Sequence, residues 1–302
     1  MAAALLTSEP VTLRNLPDID DVRTLLAMVA GLGVDITRRD RHTVTLRAGT
    51  LRGTRPDPEL LRKIRGALVL MGPLLARRAG RSSGTRAAIA SGGGAWTPMS
   101  WASPRWGQTC ATKGRASPLR LRLRGADILL DEASVTATEN VVLAAVRAEG
   151  PTVLRNAASE PHVQDLCELL VQMGARIDGI GSNVLTIHGG HAARRRLHAR
   201  AGFHGSGEPR GAGGGDGGRR PHRGVRPADL RMSLGVFARL GISAEIRGED
   251  LAVSGAAPLV IQSDLGDAIP KVDDGPWPAF PADLIERGPG GGHSGRRHGA
   301  LP

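Results

Sequence analysis

Cysteine is nearly absent: Cys110 and Cys167 are the only two in 302 residues. Two thiols cannot make a disulfide framework or a four-thiolate zinc site, and the count suits a reducing compartment. Long apolar runs are missing too. No stretch reaches the ~18 uncharged apolar residues that a membrane span needs, although apolar residues make up 40% of the chain and mean hydropathy is −0.15. Met1 to Leu6 is a short apolar patch without a basic n-region or an h-region of ~7–15 residues, so no secretory signal is expected. The expected location is cytoplasmic, with no membrane partner. What remains is long enough for two domains of ordinary size with a sizeable core.

Acidic residues are scarce in three segments. Residues 77–118 carry seven Lys or Arg and no Asp or Glu, residues 191–224 carry eight Arg against Glu208 and Asp216, and residues 288–302 add Arg296 and Arg297. Removing these +7, +6 and +2 from the formal +11 leaves the rest of the chain at −4. The basic charge therefore does not mark a nucleic-acid face on the patterned part of the protein. The same segments hold Trp96, Trp101, Trp106 and the run Gly213-Gly214-Gly215, and they show no helix or strand periodicity. One reading is flexible, low-complexity basic loops. The sharper one is a reading-frame error in a GC-rich gene, because Gly, Ala, Arg, Pro, Ser and Trp all have GC-rich codons.

Elsewhere the sequence repeats itself. Pro10-Val-Thr-Leu-Arg-Asn15 recurs as Pro151-Thr-Val-Leu-Arg-Asn156, 141 residues later, and Val22, Leu25, Gly33, Ile36, Thr45 and Gly49 meet Val163, Leu166, Gly174, Ile177, Thr186 and Gly190 at the same offset. Val22, Leu25, Leu26, Val29 and Leu32 follow helical spacing, and Gly33 supplies the left-handed residue that ends the helix. A third copy places Leu230, Leu234, Phe237, Leu240 and Gly241 equivalently, followed by strand-like Ile242 to Ile246 and Leu251 to Val253. The unit reads strand, helix, strand, turn, strand. Two further helices are predicted: one opens at Asp57-Pro58, runs to about Leu70 and is interrupted or ended by Gly72-Pro73, and the other covers about Thr136 to Glu149. The expected class is α/β, built of repeats. Residues 1–190 form the first domain and residues 191–302 a partial second one.

Four motifs then carry a resemblance: Arg65 to Arg77 (RGALVLMGPLLAR), Ser134 to Asn140 (SVTATEN), Asn156 to Asp165 (NAASEPHVQD) and Gly275 to Leu284 (GPWPAFPADL). Together they resemble the UDP-N-acetylglucosamine 1-carboxyvinyltransferases of peptidoglycan synthesis, in the family that also contains enolpyruvylshikimate-phosphate synthase. The resemblance implies two domains of βαβαββ units, an inside-out α/β barrel architecture, around a cleft. It implies transfer of the enolpyruvyl group of phosphoenolpyruvate to the 3-hydroxyl of UDP-N-acetylglucosamine, by addition and then elimination of phosphate. No cofactor or metal is implied, and the expected protein is a monomer with two small-molecule substrates and no nucleic acid.

By the same resemblance Asp283 is the base beside the accepting hydroxyl, although an acidic residue two positions after Pro281 is also what a helix N-terminus favours. Arg65 matches an arginine that contacts the nucleotide sugar, a role suited to a guanidinium; without the family it reads as a solvated helix residue. Ser134 and Val135 match residues lining the nucleotide-sugar site, while Ser134 also reads as an N-cap. Glu132 stands where the family can have a lysine, so that contact is not carried over.

Other parts of the family pattern are not found. The phosphoenolpyruvate-binding Lys-Asn pair is expected upstream of Met1, and further repeats with cationic ligands beyond Arg287. The Gly-Gly-Cys or Gly-Gly-Asp loop that donates the proton is expected within residues 80–118, where Gly92-Gly93-Gly94 is followed by Ala95. Cys110 lacks flanking glycines and is rejected as a substitute. Cys167 lies on an apolar stripe and reads as core. His188, His191, His198 and His204 lack paired ligand spacing. Groups that act as a unit are missing, so no measurable transferase activity is expected of the chain as it stands. Binding of the nucleotide sugar is expected to be lost sooner than kept, its contacts being shared between domains. The alternatives are an enzyme of the shikimate branch and a basic protein that binds single-stranded nucleic acid through the Trp and Arg of the anomalous segments.

Overall fold

In a computed structural model, which describes residues 1–53, 55–78, 123–189, 203–204, 220–222, 225–248, 250–254, 260–264, 266, 268, 270–281, 284 and 296–297, the duplicated pattern becomes two matching sheets. The first copy runs β1 (Val11–Arg14), α1 (Asp20–Gly31), β2 (Asp35–Arg38) and β3 (Val44–Arg47). The Pro58–Lys63 helix (α2), a 3-10 turn at Arg65–Leu70 and the Met71–Arg78 helix (α3) come next. After them the second copy is complete: β4 (Asp127–Leu129), α4 (Val135–Ala145), β5 (Pro151–Arg155), α5 (Pro161–Gln172), β6 (Ile177–Asp178) and β7 (Val184–His188). That order is βαβαββ, as the resemblance implied.

The repeat holds to the level of strand register. In β1 and β3 Val11 faces Leu46, Thr12 faces Thr45 and Leu13 faces Val44; in β5 and β7 Thr152 faces Ile187, Val153 faces Thr186 and Leu154 faces Leu185. Each pair is displaced by 141 residues from its counterpart. Register is fixed because a one-residue slip would turn the apolar alternation outward. Among the described non-glycine residues, only Asn15 and Asn156 have positive φ, 57° and 56°, and they follow the equivalent strands β1 and β5. Asn tolerates that conformation better than most residues. Gly33 and Gly174 end the two helices at φ 92° and 102°, as the pattern predicts.

The protein divides into two compact units, Met1–Gly205 and Ser206–Pro302. In the first, α4 is apolar nearly all round, and Val141, Val142, Leu143, Ala144 and Ala145 are fully buried. A helix of that kind belongs inside a core, and burying each large aliphatic side chain there contributes roughly 1.5–3 kcal/mol. The Ala2–Leu6 segment packs on α3 as a five-residue 3-10 turn with every residue buried. The sheets are ordered β2-β3-β1-β8 and β6-β7-β5-β4, where β8 is Phe203–His204; each has a parallel edge strand beside an antiparallel trio.

The second unit contains β9 (Arg220–His222), α6 (Pro227–Arg239), β10 (Ser243–Arg247) and β11 (Asp250–Ser254), with the short pair β12 (Val260–Ile261) and β13 (Arg296–Arg297). Its sheet order, β10-β11-β9, reproduces β2-β3-β1 of the first copy. Val225, Leu230, Ile242, Leu251 and Val253 form its core. Phe280 is 3% exposed and meets Phe237 of α6 edge to face, centroids 6.2 Å apart at 82°.

Two expectations need correction. Gly72-Pro73 does not stop a helix that runs from Asp57. The break is at Ile64, which is extended at φ −136° and ψ 129°, and Pro73 sits in the first turn of α3, where a missing N–H is harmless. The segments 191–224 and 288–302, read as lacking strands, supply β8, β9 and β13. Edge strands of two or three residues are recruited by backbone hydrogen bonds and need no side-chain pattern. Segment 79–118, with Cys110, Ala95 and the three tryptophans, lies outside the described residues, as do His191 and His198.

Candidate functional site

Ser134 is the N-cap of α4: its Oγ accepts from the Ala137 N–H at 3.4 Å, and its carbonyl accepts from the Thr138 N–H at 2.9 Å and the Thr138 hydroxyl at 2.8 Å. The N–H groups of Val135 and Thr136, next in the first turn, have no acceptor within the helix. A half-buried end of this kind presents a hydroxyl and oriented donors to a polar or anionic group. The two roles foreseen for Ser134, cap and lining residue, are compatible. Glu132 is exposed.

Buried hydrogen bonds join this helix start to two other motifs. Asn140, 2% exposed, accepts from the backbone N–H of Gly72 at 2.6 Å and donates to its own Thr136 carbonyl at 2.9 Å. At Gly72 the backbones of α3 and α4 approach so closely that a Cβ would lie 2.3 Å from the Asn140 carbonyl oxygen. Thr138 Oγ1 accepts from the Ala158 N–H at 2.9 Å, and Asn156 Nδ2 donates to the Leu130 carbonyl at 3.0 Å. Three of the four motifs thus form one hydrogen-bonded block within the first unit.

Arg65 begins the 3-10 turn that leads into α3, and that turn packs on α4. The residue is exposed and makes no hydrogen bond or ion pair among the described residues, which leaves its guanidinium available to an oxyanion. Arg65, Ser134 and Val135 are therefore brought into one unit. Asp283, assigned as the base, lies outside the described residues. Its flanks are described: the Leu284 N–H donates to the Pro281 carbonyl at 3.0 Å, and Phe280 is the buried plug on α6.

Behind the helix start, burial raises the Glu139 carboxyl above its usual range; His162 and the Met1 ammonium oppose the shift and Glu160 reinforces it. Cys167 is 1% exposed and its thiol is pushed up to about 12, chiefly by burial. That is the behaviour of a core cysteine and not of a nucleophile. His188 is engaged with Asp178, Nε2 to Oδ2 at 2.6 Å. The reading of single residues missed Gly72, Thr138 and Asn140. All three lie within the quoted motifs, but a pattern of letters does not show which backbone groups the Thr138 and Asn140 side chains satisfy.

Comparison with known proteins agrees with this architecture. The chain matches the EPSP synthase (3-phosphoshikimate 1-carboxyvinyltransferase) family over residues 1–95 and 107–200. It is 42% identical over 293 residues to the UDP-N-acetylglucosamine 1-carboxyvinyltransferase of Bradyrhizobium diazoefficiens, covering 94% of this chain and 66% of that protein. With the protein of the same name from Treponema pallidum it shares 41% identity over 294 residues, 94% of this chain and 67% of the other. The chain thus spans about two thirds of the length of the curated relatives it matches. Among solved structures it resembles the enolpyruvyl transferase NikO from Streptomyces tendae, with a TM-score of 0.68 at 20% identity over 89% of this chain and 66% of that one. EPSP synthase from Acinetobacter baumannii gives 0.55 at 15% identity over 85% and 63%. At such identities these two structures establish the fold alone. Sequence relatives, repeat register and motif block converge: the chain belongs to the enolpyruvyl transferase family, on the side of the UDP-N-acetylglucosamine 1-carboxyvinyltransferases.

Proposed function

We propose that the first unit carries the nucleotide-sugar side of an enolpyruvyl transferase site. In the reaction proposed, the 3-hydroxyl oxygen of UDP-N-acetylglucosamine bonds to C2 of phosphoenolpyruvate and C3 takes up a proton. Loss of a C3 proton and of phosphate then leaves the enol ether. Arg65 would hold an oxyanion of the nucleotide sugar, Ser134 and Val135 would meet it at the first turn of α4, and Asp283 would take the hydroxyl proton. The observation that supports the reading most is the block uniting three motifs at the start of α4, with Arg65, unpaired among the described residues, on the turn that packs against α4. Because three of the four assigned groups lie in one unit, weak acceptor binding is expected to survive. This revises the expectation that rested on sharing between domains. Turnover is expected to be undetectable, since no Gly-Gly-Cys or Gly-Gly-Asp donor is recognisable in residues 80–118.

The protein is read as a cytoplasmic monomer without a membrane partner; among the described residues no helix is long and apolar enough to cross a bilayer. Thermal-shift titration with UDP-N-acetylglucosamine and with shikimate 3-phosphate tests the acceptor. A rise in melting temperature with the first alone supports the reading, and a rise with the second alone transfers it to the shikimate branch. Phosphate release from phosphoenolpyruvate plus UDP-N-acetylglucosamine above background would overturn the expected lack of turnover.

A further inference from the structure

We infer that Asn140 is the positioning residue of this site: its side chain fixes the Arg65 turn against the start of α4 and so sets where the Arg65 guanidinium stands relative to Ser134. The inference rests on the acceptor reading above. Asn140 is the link because its two ends serve two elements. Its oxygen takes the N–H of Gly72, one of the donors in the first turn of α3 that has no partner within that helix, and its amide nitrogen returns to the Thr136 carbonyl in the first turn of α4. Asn alone among the small side chains offers an acceptor and a donor in one plane. The contact admits little play, since the absence of a side chain at Gly72 lets the two backbones touch. Arg65 lies seven residues before Gly72 on a turn that packs against both α3 and α4. Releasing the seam therefore moves Arg65 while the Ser134 cap stays on its own helix.

Three variants of the intact chain test this, each read by calorimetric titration with UDP-N-acetylglucosamine and by amide hydrogen exchange. Asn140→Ala is expected to weaken binding at least about tenfold, the scale on which misplaced recognition groups act. Protection at Gly72 and across residues 65–70 should fall with it, while β5 and β7 stay protected. Leu170→Ala, a buried change on α5 outside the seam, supplies comparable destabilisation and should leave the affinity of the folded protein unchanged. Asn140→Asp gives a signature that loose packing does not. Its ionised carboxylate can accept from Gly72 but opposes the Thr136 carbonyl, whereas the protonated acid restores both bonds, so affinity should recover as pH falls from about 7.5 to about 5.5. Equal losses in Asn140→Ala and Leu170→Ala, or an Asn140→Asp pH profile like that of the unsubstituted chain, would overturn the inference. If the unsubstituted chain binds no nucleotide sugar, the acceptor reading fails by itself. Exchange then decides the seam: selective loss of protection at residues 65–72 in Asn140→Ala supports the coupling, and unchanged protection refutes it.

Discussion

In the first copy of the repeat Asp18 accepts from Arg23 at 2.8 Å and from Arg41 at 2.9 Å, tying the start of α1 to the turn between β2 and β3. The second copy has Ser159, Gln164 and Ser182 at those positions and uses neutral contacts: Gln164 donates to the Ser159 carbonyl at 2.7 Å, and Ser182 donates to the Gly179 carbonyl at 2.8 Å. Backbone register and the left-handed residues are nevertheless the same. What the unit needs is the conformation at its turns and the alternation on its strands; the chemistry that staples helix to turn is interchangeable. The second copy includes α4 and so contributes Ser134 and Val135 to the candidate site, while Arg65 stands on the turn between the two copies.

The largest expected difference between copies is at the helix-ending glycines. Gly174→Ala meets nothing within 4 Å and should cost about 1–2 kcal/mol, the strain of a left-handed alanine. At Gly33 the added Cβ would also lie 2.8 Å from Arg52 Cγ and 3.1 Å from the Arg52 backbone nitrogen. Gly33→Ala should therefore cost about 1 kcal/mol more than its counterpart. Urea unfolding of both variants checks this, and equal costs would show that the Arg52 contact yields freely.

A smaller effect follows from Thr152, fully buried with a hydroxyl that has no hydrogen-bond partner among the described residues; the first copy has Val11 at the same position. Thr152→Val should stabilise the protein by about 1 kcal/mol by removing an unsatisfied polar group without changing the shape. A drop in the denaturation midpoint would mean that the hydroxyl is used.

The pH responses should have opposite signs. Arg23 and Arg41 hold the Asp18 carboxyl well below its usual range, so the native state binds fewer protons there than the unfolded chain. The stabilisation is present above the ordinary carboxylate value and is lost as pH falls through the native one. Glu139 is shifted upward, so the native state binds more protons, and stability falls as pH rises from the ordinary value to the native one. Asp18→Asn should flatten the acid limb of a stability profile and Glu139→Gln the other. Unchanged limbs would remove each group from the account.

Much of the scaffold was legible because it is periodic. The repeat offset, the helix stripe of Val22, Leu25, Leu26 and Val29, and the terminating Gly33 are patterns of single residues that report local conformation. The block around α4 was legible only as motifs. That Asn140 serves Gly72 depends on residues 68 positions apart, and no local propensity encodes such a contact. The helix after Asp57 was misplaced for a related reason: Gly-Pro reads as a breaker, whereas the Asn140 side chain lets it open α3. The edge strands β8, β9 and β13 left no trace because their partners, not their side chains, make them strands.

The most direct test is the affinity of the intact chain for UDP-N-acetylglucosamine compared with that of Arg65→Ala. Arg65 is exposed and has no partner among the described residues, so its removal should leave the melting temperature unchanged. The account predicts measurable binding that weakens at least about tenfold in the variant, as expected for a lost charge-assisted hydrogen bond. Absence of binding by the unsubstituted chain, or equal binding by both proteins, would contradict it.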